Sequence, residues 1–508
     1  MRNQEYNRSE NQSFEILLES TLQELPPDND VINKITPWKK AANRLLIGFA
    51  LNTVTFNFLS LNYILPTIGF FLLLLGFRSL RHENRALKAC WIISVIRAVY
   101  FFPVLILNAT IWQKTVSVSP FFTAFHCANI AITFLLILCL RSGVRSVQEK
   151  AGLTPHTGSI TALLVWSAIL CVLSLIQYSG WIIFIAVLIA YCFILRNLYG
   201  LSSELDEAGY SIVASPVKIS DKDLVMAFSL LLVSGLAIGY LFFDKYPMQW
   251  TPVDASGQGE TQSVKSHLRS LGFPDSILED LTQEDLLACA DAVRIVADQK
   301  DHPVNNGRTI VTTSGNVTTH KTVFDVRELR ITSVAVELPG DRECWKIFHH
   351  FEWVVDTSFY GTEAIQLWST DRDGFDWQID GTFSGQVLYD DAGQTYAAPY
   401  YSLGTETFQQ DSLFWGNTVS NDTFAAFSFP DGKERYRGYV SYSVFERRDG
   451  CVISSYINYV HQRSWMQYPV QTAMDYRMTS SLLSSDRVFC LIQDALQFHP
   501  SLENPEPF

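Results

Sequence analysis

The sequence predicts a multi-pass α-helical membrane bundle of about 7 spans, followed by an extracytoplasmic α+β domain built as a mostly antiparallel β-sandwich or open barrel. Three observations carry this expectation. Residues 44–243 are dominated by Leu, Ile, Val and Phe, whereas the flanking stretches are polar or of ordinary globular composition. The oily runs are bounded on alternate sides by Lys and Arg, as cytoplasmic loops are. From about residue 308 the apolar residues recur every second position instead of every third or fourth, which is the strand period.

Residues 1–43 read as a cytoplasmic segment with amphipathic helices. "SFEILLESTLQEL" has helical spacing, and "NKITPWKKAANRLLIGF" reads as a short interfacial helix, with Trp38 at headgroup level and Lys39 and Lys40 toward lipid phosphates. The opening 40 residues lack the basic and apolar regions of a signal peptide, so export is expected to use internal spans. Spans are expected at roughly 89–112, 119–140, 159–177, 180–199 and 224–243, since each offers about 20 mostly apolar residues. Leu45–Phe77 is long for one span. Lys34, Lys39, Lys40 and Arg44 precede it and Arg78, Arg81, Arg85 and Lys88 follow it, so both its ends are expected inside, as a hairpin turning near Ser60–Pro66. Seven crossings of the cell membrane leave the N-terminus cytoplasmic and residues 244–508 on the extracytoplasmic side.

Residues 244–262 read as a linker and 263–300 as a small helical unit, with Gly272 as a helix stop, Pro274 in a first turn and a Thr282–Asp285 capping box. Residues 301–508 read as the β-rich domain, closed by C-terminal helices at about 470–498. In "WKIFHHFEW", Trp345, Ile347, His349, Phe351 and Trp353 form an apolar face, and Lys346, His350 and Glu352 point the other way. Pro339-Gly340, Asp373-Gly374, Asp431-Gly432 and Asp449-Gly450 are expected to close antiparallel hairpins.

Residues 244–508 hold 20 Lys and Arg against 37 Asp and Glu, an acidic balance that argues against nucleic acid as a partner. Of nine cysteines, Cys289, Cys344, Cys451 and Cys490 fall in the outer region, where disulfides are permitted but not demanded. There is no G-x-S-x-G elbow, H-E-x-x-H helix, C-x-x-C pair or phosphate-binding glycine loop. Nothing calls for a cofactor, and catalysis is not the leading expectation.

Four groups of residues could carry function. Arg97 lies about 12 Å into its span at 1.5 Å per residue; with His126, Asn129 and Asn57 it is expected to form an intramembrane polar cluster facing the bundle interior, as hydrogen-bond glue or as a conduit. His350 and Glu352 offer a ligand face. Asp371, Asp373 and Asp376 are the weak candidates for a Ca²⁺ loop, an Asp-Gly turn being the plainer reading. Aromatic residues such as Trp345, Trp353, Trp368, Trp377 and Trp415 either fill the core or offer an extracellular carbohydrate or peptide a flat surface. The function that fits is a membrane protein displaying an outer binding or sensing domain. A transporter or channel component with an accessory domain, and a surface hydrolase, are the rivals.

Overall fold

A computed structural model describes residues 35–53, 61–176, 180–213, 219–253, 258–314, 317–357, 359–369, 376–412, 416–465, 467–479, 488–502 and 505–507. The chain divides into two compact units, residues 1–107 with 114–236, and residues 108–113 with 237–508. Helices fill the first, and antiparallel sheets dominate the second.

The helices are α1 (Trp38–Thr53), α2 (Leu61–Leu80), α3 (Arg85–Leu107), the short α4 (Gln113–Ser117), α5 (Pro120–Lys150), α6 (Gly158–Leu175), α7 (Trp181–Glu207) and α8 (Asp221–Phe242). Six of them, α2, α3 and α5–α8, are long and apolar enough to cross a membrane. Pro120 opens α5 where its missing N–H costs nothing, and the Ser119 hydroxyl caps it by accepting from the Phe122 amide at 3.2 Å. The turn expected at Ser60–Pro66 is corrected, because Leu61–Pro66 belong to α2. Pro66 stands near the start of the helix and forfeits only one backbone bond, so it need not end it. α1 packs closely on α2 through small residues: a Cβ on Gly48 would lie 3.0 Å from the Gly69 carbonyl oxygen, and one on Gly69 2.9 Å from that of Gly48.

Trp38 is buried, with its ring edge-on to Tyr210. It begins α1 directly after strand β1 (Ile35–Pro37), which pairs with β2 (Ser211–Val213). One end of the bundle gathers the charges. There Lys39 meets Asp206 at 3.1 Å, Arg44 and Arg78 share Asp221 at 2.9 and 3.2 Å, His156 meets Glu204 at 2.9 Å, and the Tyr210 hydroxyl donates to Glu83 at 2.6 Å.

The second unit is a sandwich rather than a barrel. Its larger sheet runs β3-β11-β10-β14-β8-β7-β4, comprising Thr251–Pro252, Gln394–Ala398, Trp377–Asp391, Glu434–Glu446, Cys344–Trp353, Leu329–Leu338 and Ile295–His302. The smaller runs β12-β13-β9-β15-β16, comprising Ser402–Ser412, Gly416–Ser428, Thr362–Ser369, Ile453–Gln462 and Phe489–Phe498. Strands β5 (Arg308–Ser314) and β6 (Val317–Val323) form a separate hairpin. Trp345, Ile347, Phe351 and Trp353 enter the core between the sheets, where the Phe351 ring lies 4.9 Å from Tyr459 and 5.5 Å from Phe427.

The outer face of the larger sheet is covered as well. Helices α9 (Gln258–Ser270), α10 (Asp275–Leu278) and α11 (Gln283–Ala288) pack Leu268, Phe273, Ile277 and Leu286 onto Val334, Val336, Phe348 and Tyr439. Helix α12 (Ala473–Thr479) sets Ala473 and Tyr476 against Ala364 and Val460 of the smaller sheet. A sheet buried on both faces explains why Val334, Ala335 and Val336 are consecutive, apolar and all buried.

Several boundaries differ from those read in the sequence. Residues 244–253 are not linker: Trp250 packs on Tyr389 and Phe429, and the Tyr246 amide donates to the Ser428 hydroxyl at 3.0 Å. Ile295–Lys300, read as part of a helical unit, begin β4, and Phe489–Phe498, read as helical, form β16. Both pair with apolar neighbours in the sheets, and that pairing overrides local helix propensity. Pro339-Gly340 does join β7 to β8, but Asp431-Gly432 and Asp449-Gly450 carry the chain from one sheet to the other. Asp373-Gly374 lies outside the described residues.

Candidate functional site

β8 carries two consecutive histidines that alternation sends to opposite faces. His349 lies between the sheets, wholly buried, its Nδ1 2.7 Å from the Ser333 hydroxyl and its Nε2 2.6 Å from that of Ser455. Burial pushes its pKa down to about 4, so it is a neutral, satisfied core residue. As pH falls the unfolded chain takes up this proton near 6.5, the folded protein only near 4. Stability therefore falls as pH drops across that window, by up to about 3 kcal/mol. Burial raises the Glu363 carboxyl and works in the opposite direction. The comparison that isolates His349 is urea unfolding at pH 6.5 and pH 4 of the protein and of its His349→Asn variant. An equal pH response in the two rejects the assignment.

His350 and Glu352 share the other face, but they do not form an open ligand surface. His350 is 2% exposed, and its Nε2 meets Asp280 at 2.9 Å. Asp280 also accepts from Arg437 Nε at 2.8 Å, and Arg437 Nη1 reaches Asp390 at 3.0 Å. Burial works to raise the Asp280 carboxyl, but His350 and Arg437 outweigh it and hold it below its usual value. Glu352, near the end of β8, is half-buried and lies 3.7 Å from Arg435. The correction has a simple cause: a polar stripe on one strand does not reveal that a distant helical segment supplies its counter-charges.

A second carboxylate under the same cap is Asp285. It accepts from Tyr439 and Ser384 hydroxyls, both at 2.6 Å, from Ser441 at 3.2 Å and from Lys346 at 3.0 Å. Its backbone amide meanwhile donates to Thr282, which caps α11 as the sequence foretold. Burial alone would raise the Asp285 carboxyl, yet these donors leave it lowered. Both acids are satisfied and shielded from water, so they bind the helical cap to the sheet and present no reactive group.

The open concavity lies at one end of the sandwich, with a volume of ≈ 610 Å³, lined among others by Arg294, Glu337, Arg342, Glu343, Glu446 and Asp449. The β7–β8 turn, the β14–β15 connection and the segment after β16 converge there. Arg294 is fixed by Glu337, by the carbonyls of Leu502 and Pro500 at 2.8 and 3.1 Å, and by the Trp345 ring 5.5 Å away. Burial, with Glu343 and Asp449 nearby, raises the Glu446 carboxyl. A cleft of this character can take a cationic group. The sequence held no spacing signal for it, because its residues come from four separate segments.

Among the described residues, the polar cluster expected around Arg97 does not assemble. Arg97 is 8% exposed, its Nε lacks a hydrogen-bond partner, and its guanidinium lies 5.0 Å from the Phe70 ring centroid. His126 is exposed, 3.4 Å from the Tyr100 hydroxyl, and Asn129 is half-buried. Asn57 lies outside the described residues. His126 fails to turn inward because the N-terminal part of α5 presents Phe121, Thr123, Phe125 and His126 outward together.

Asp371 and Asp373 also lie outside the described residues. Asp376 does not join a metal-binding group: among the described residues no three or more His, Cys, Asp or Glu side chains are placed to hold an ion. All nine cysteines are free. Trp345, Trp353 and Trp377 fill the core, Trp368 stacks on Tyr456 at 5.3 Å, and Trp415 is outside the described residues.

No protein-family model matches the chain, and no curated protein matches it in sequence. Among solved structures it is similar to one described as a pore forming protein, with 9% identity and a TM-score of 0.17, covering 38% of this chain and 96% of that one. It is similar also to Clostridium perfringens delta-toxin, with 8% identity and a TM-score of 0.18, covering 38% and 94%. At these TM-scores neither likeness bears on the reading of this chain.

Proposed function

We propose that this chain is a multi-pass integral membrane protein that displays its sandwich domain on the extracytoplasmic side for binding or sensing. The observation that carries the proposal is the apolar surface of the helices. Leu175 on α6 is 83% exposed, Ile182 on α7 84%, and Leu230 and Leu241 on α8 68% and 72%. Left in water, each such side chain forgoes ~1.5–3 kcal/mol of burial, whereas lipid satisfies all of them at once. Orientation follows from the charged end of the bundle. Lys39, Lys40, Arg44, Arg78, Arg81 and Arg85 lie at or beside it, which favours the cytoplasm. Because α8 starts there, at Asp221, its 22 residues carry the chain away from that side. Counting α1 as a crossing beside the six longer helices gives seven, with the N-terminus inside.

The ligand site in this reading is the Arg294–Glu446 cleft, whose carboxylates suit a cationic peptide better than an anion or a nucleic acid. A transporter is the second reading, supported by the buried Arg97 guanidinium within α3.

The orientation is tested by placing single cysteines in a chain whose native cysteines have been replaced. Thr312→Cys, on the exposed β5–β6 hairpin, is expected to react with an impermeant thiol reagent on intact cells, and a cysteine near residue 10 only after permeabilisation. Labelling of the N-terminal position alone sinks the reading.

A further inference from the structure

The compact unit that holds the sandwich also holds residues 108–113 and the end of α8 from Ala237 onward. The loop after β15 binds both. The Tyr240 hydroxyl donates to the Gln467 carbonyl, the Val470 amide donates to the Asn108 carbonyl at 2.7 Å, and the Ile111 amide donates to the Phe243 carbonyl at 2.9 Å. Gly239 permits the close approach, since a Cβ there would stand 2.9 Å from that of Ala109. Three backbone carbonyls that the end of a span would leave orphaned or wet therefore have protein donors.

Trp465 stands in the same loop without such cover. It is the one exposed tryptophan among the described side chains, 55% exposed, and its ring meets that of Tyr240 edge-on at 6.0 Å. Trp345, Trp353 and Trp377 bury their rings, so exposure is not the habit of this domain. The residues that follow Tyr240 on α8, Leu241, Phe242 and Phe243, are 72%, 73% and 46% exposed. The apolar surface of the helix thus reaches the turn on which Trp465 rests.

Depth identifies what meets this surface. Asp221, where α8 starts, pairs with Arg44 and Arg78 at the charged end of the bundle. Tyr240 follows nineteen residues later, about 28 Å along the helix at 1.5 Å per residue, against a hydrocarbon core ~30 Å thick. With the charged end at one face of a bilayer, Tyr240 and the ring beside it fall where hydrocarbon gives way to headgroups at the other. Indole suits that layer, because its ring is apolar and its N–H reaches the ester and phosphate oxygens of lipid.

We propose that the loop after β15 is a membrane-contacting surface of the sandwich domain, with Trp465 seated among the glycerol esters of the leaflet that faces the domain. The proposal rests on the membrane reading and adds a second attachment to it. The domain is tethered covalently through α8 and held to the lipid surface by a residue far later in the chain, so it does not swing freely.

The full-length protein, reconstituted in phosphatidylcholine vesicles, tests the contact. Two traces of the same lipid serve as probes, one with a photoactivatable diazirine at the ester end of an acyl chain and one with it at the methyl end. Mass spectrometry locates the adducts. Trp465 is expected to be labelled about 5-fold more by the shallow probe than by the deep one, and Leu230, near the middle of α8, to show the reverse preference. Labelling of Leu230 without Trp465, as when water or a second protein covers the loop, overturns the contact and leaves the membrane reading standing. Equal labelling of Trp465 by both probes overturns the assigned depth. Absence of label from Leu230 overturns the membrane reading, and the contact with it.

Discussion

Asp280→Ala is expected to destabilise the sandwich domain by about 3–5 kcal/mol. The carboxylate is buried between the helical cap and the larger sheet, bound by His350 at 2.9 Å and Arg437 Nε at 2.8 Å, and its own backbone carbonyl accepts from Gln386. Removing the side chain leaves a guanidinium and an imidazole in a space with no water to solvate them. The low end of the range applies if the remaining Arg437–Asp390 contact, at 3.0 Å, absorbs the charge. Urea unfolding followed by tryptophan fluorescence reads the change, because Trp345 and Trp353 both lie in the core. The penalty should shrink when Arg437→Met is added, since replacing a buried pair with apolar groups of similar volume is often close to neutral. A loss below about 1 kcal/mol would falsify the view that this ion cluster fastens the cap to the sheet.

Gly385→Ala is the second large effect, with an expected loss of about 3–5 kcal/mol. Gly385 lies in β10 at φ +148°, and a Cβ built there would stand 2.1 Å from the backbone carbonyl oxygen of Tyr439 on β14. No rotamer can relieve that contact, because the backbone fixes the position of Cβ and the oxygen is itself a backbone atom. Relief requires β10 and β14 to part near the middle of the sheet, where Gly385 pairs with Val440 and the register has just slipped between Ile379 and Phe383. Gly404, on β12, is the control: it has an ordinary φ and a Cβ built there would meet nothing within 4 Å, so Gly404→Ala should change stability by no more than about 0.5 kcal/mol. Equal effects at the two glycines would remove the steric explanation.

Local chemistry was legible wherever the responsible partner lies nearby in sequence. Thr282 and Asp285 announce their cap because the cap is three residues long, and the Trp345–Trp353 face announces itself because a strand alternates whatever it packs against. The cap over His350 was not legible, since Asp280 stands 70 residues away along the chain and no local pattern links them. Turn signals were legible as turns but not as hairpins. The chemistry of Asp431-Gly432 permits a reversal, and only the two-sheet packing decides that the next strand joins the other sheet. Conversely, β10 and β11 do form a hairpin, through Ala392 and Gly393 at φ +50° and +83°, where the alanine concealed the turn.

The amino-acid sequence by itself determined the order of the two halves, the apolar helices and the alternating strands, because hydrophobic content and period are properties of neighbouring residues. It also determined that His349 would be buried while His350 faced away from it, since consecutive strand residues cannot share a face. The tertiary structure alone decided whether a polar side chain meets water, a counter-charge or nothing. His350 found Asp280, the Asp285 carboxylate found five donors, and Trp38 and Ser202 were left without acceptors beside one cleft. The physical reason is that burial and electrostatic partnership depend on atoms brought together across long stretches of chain, and these are fixed only when sheets and helices pack.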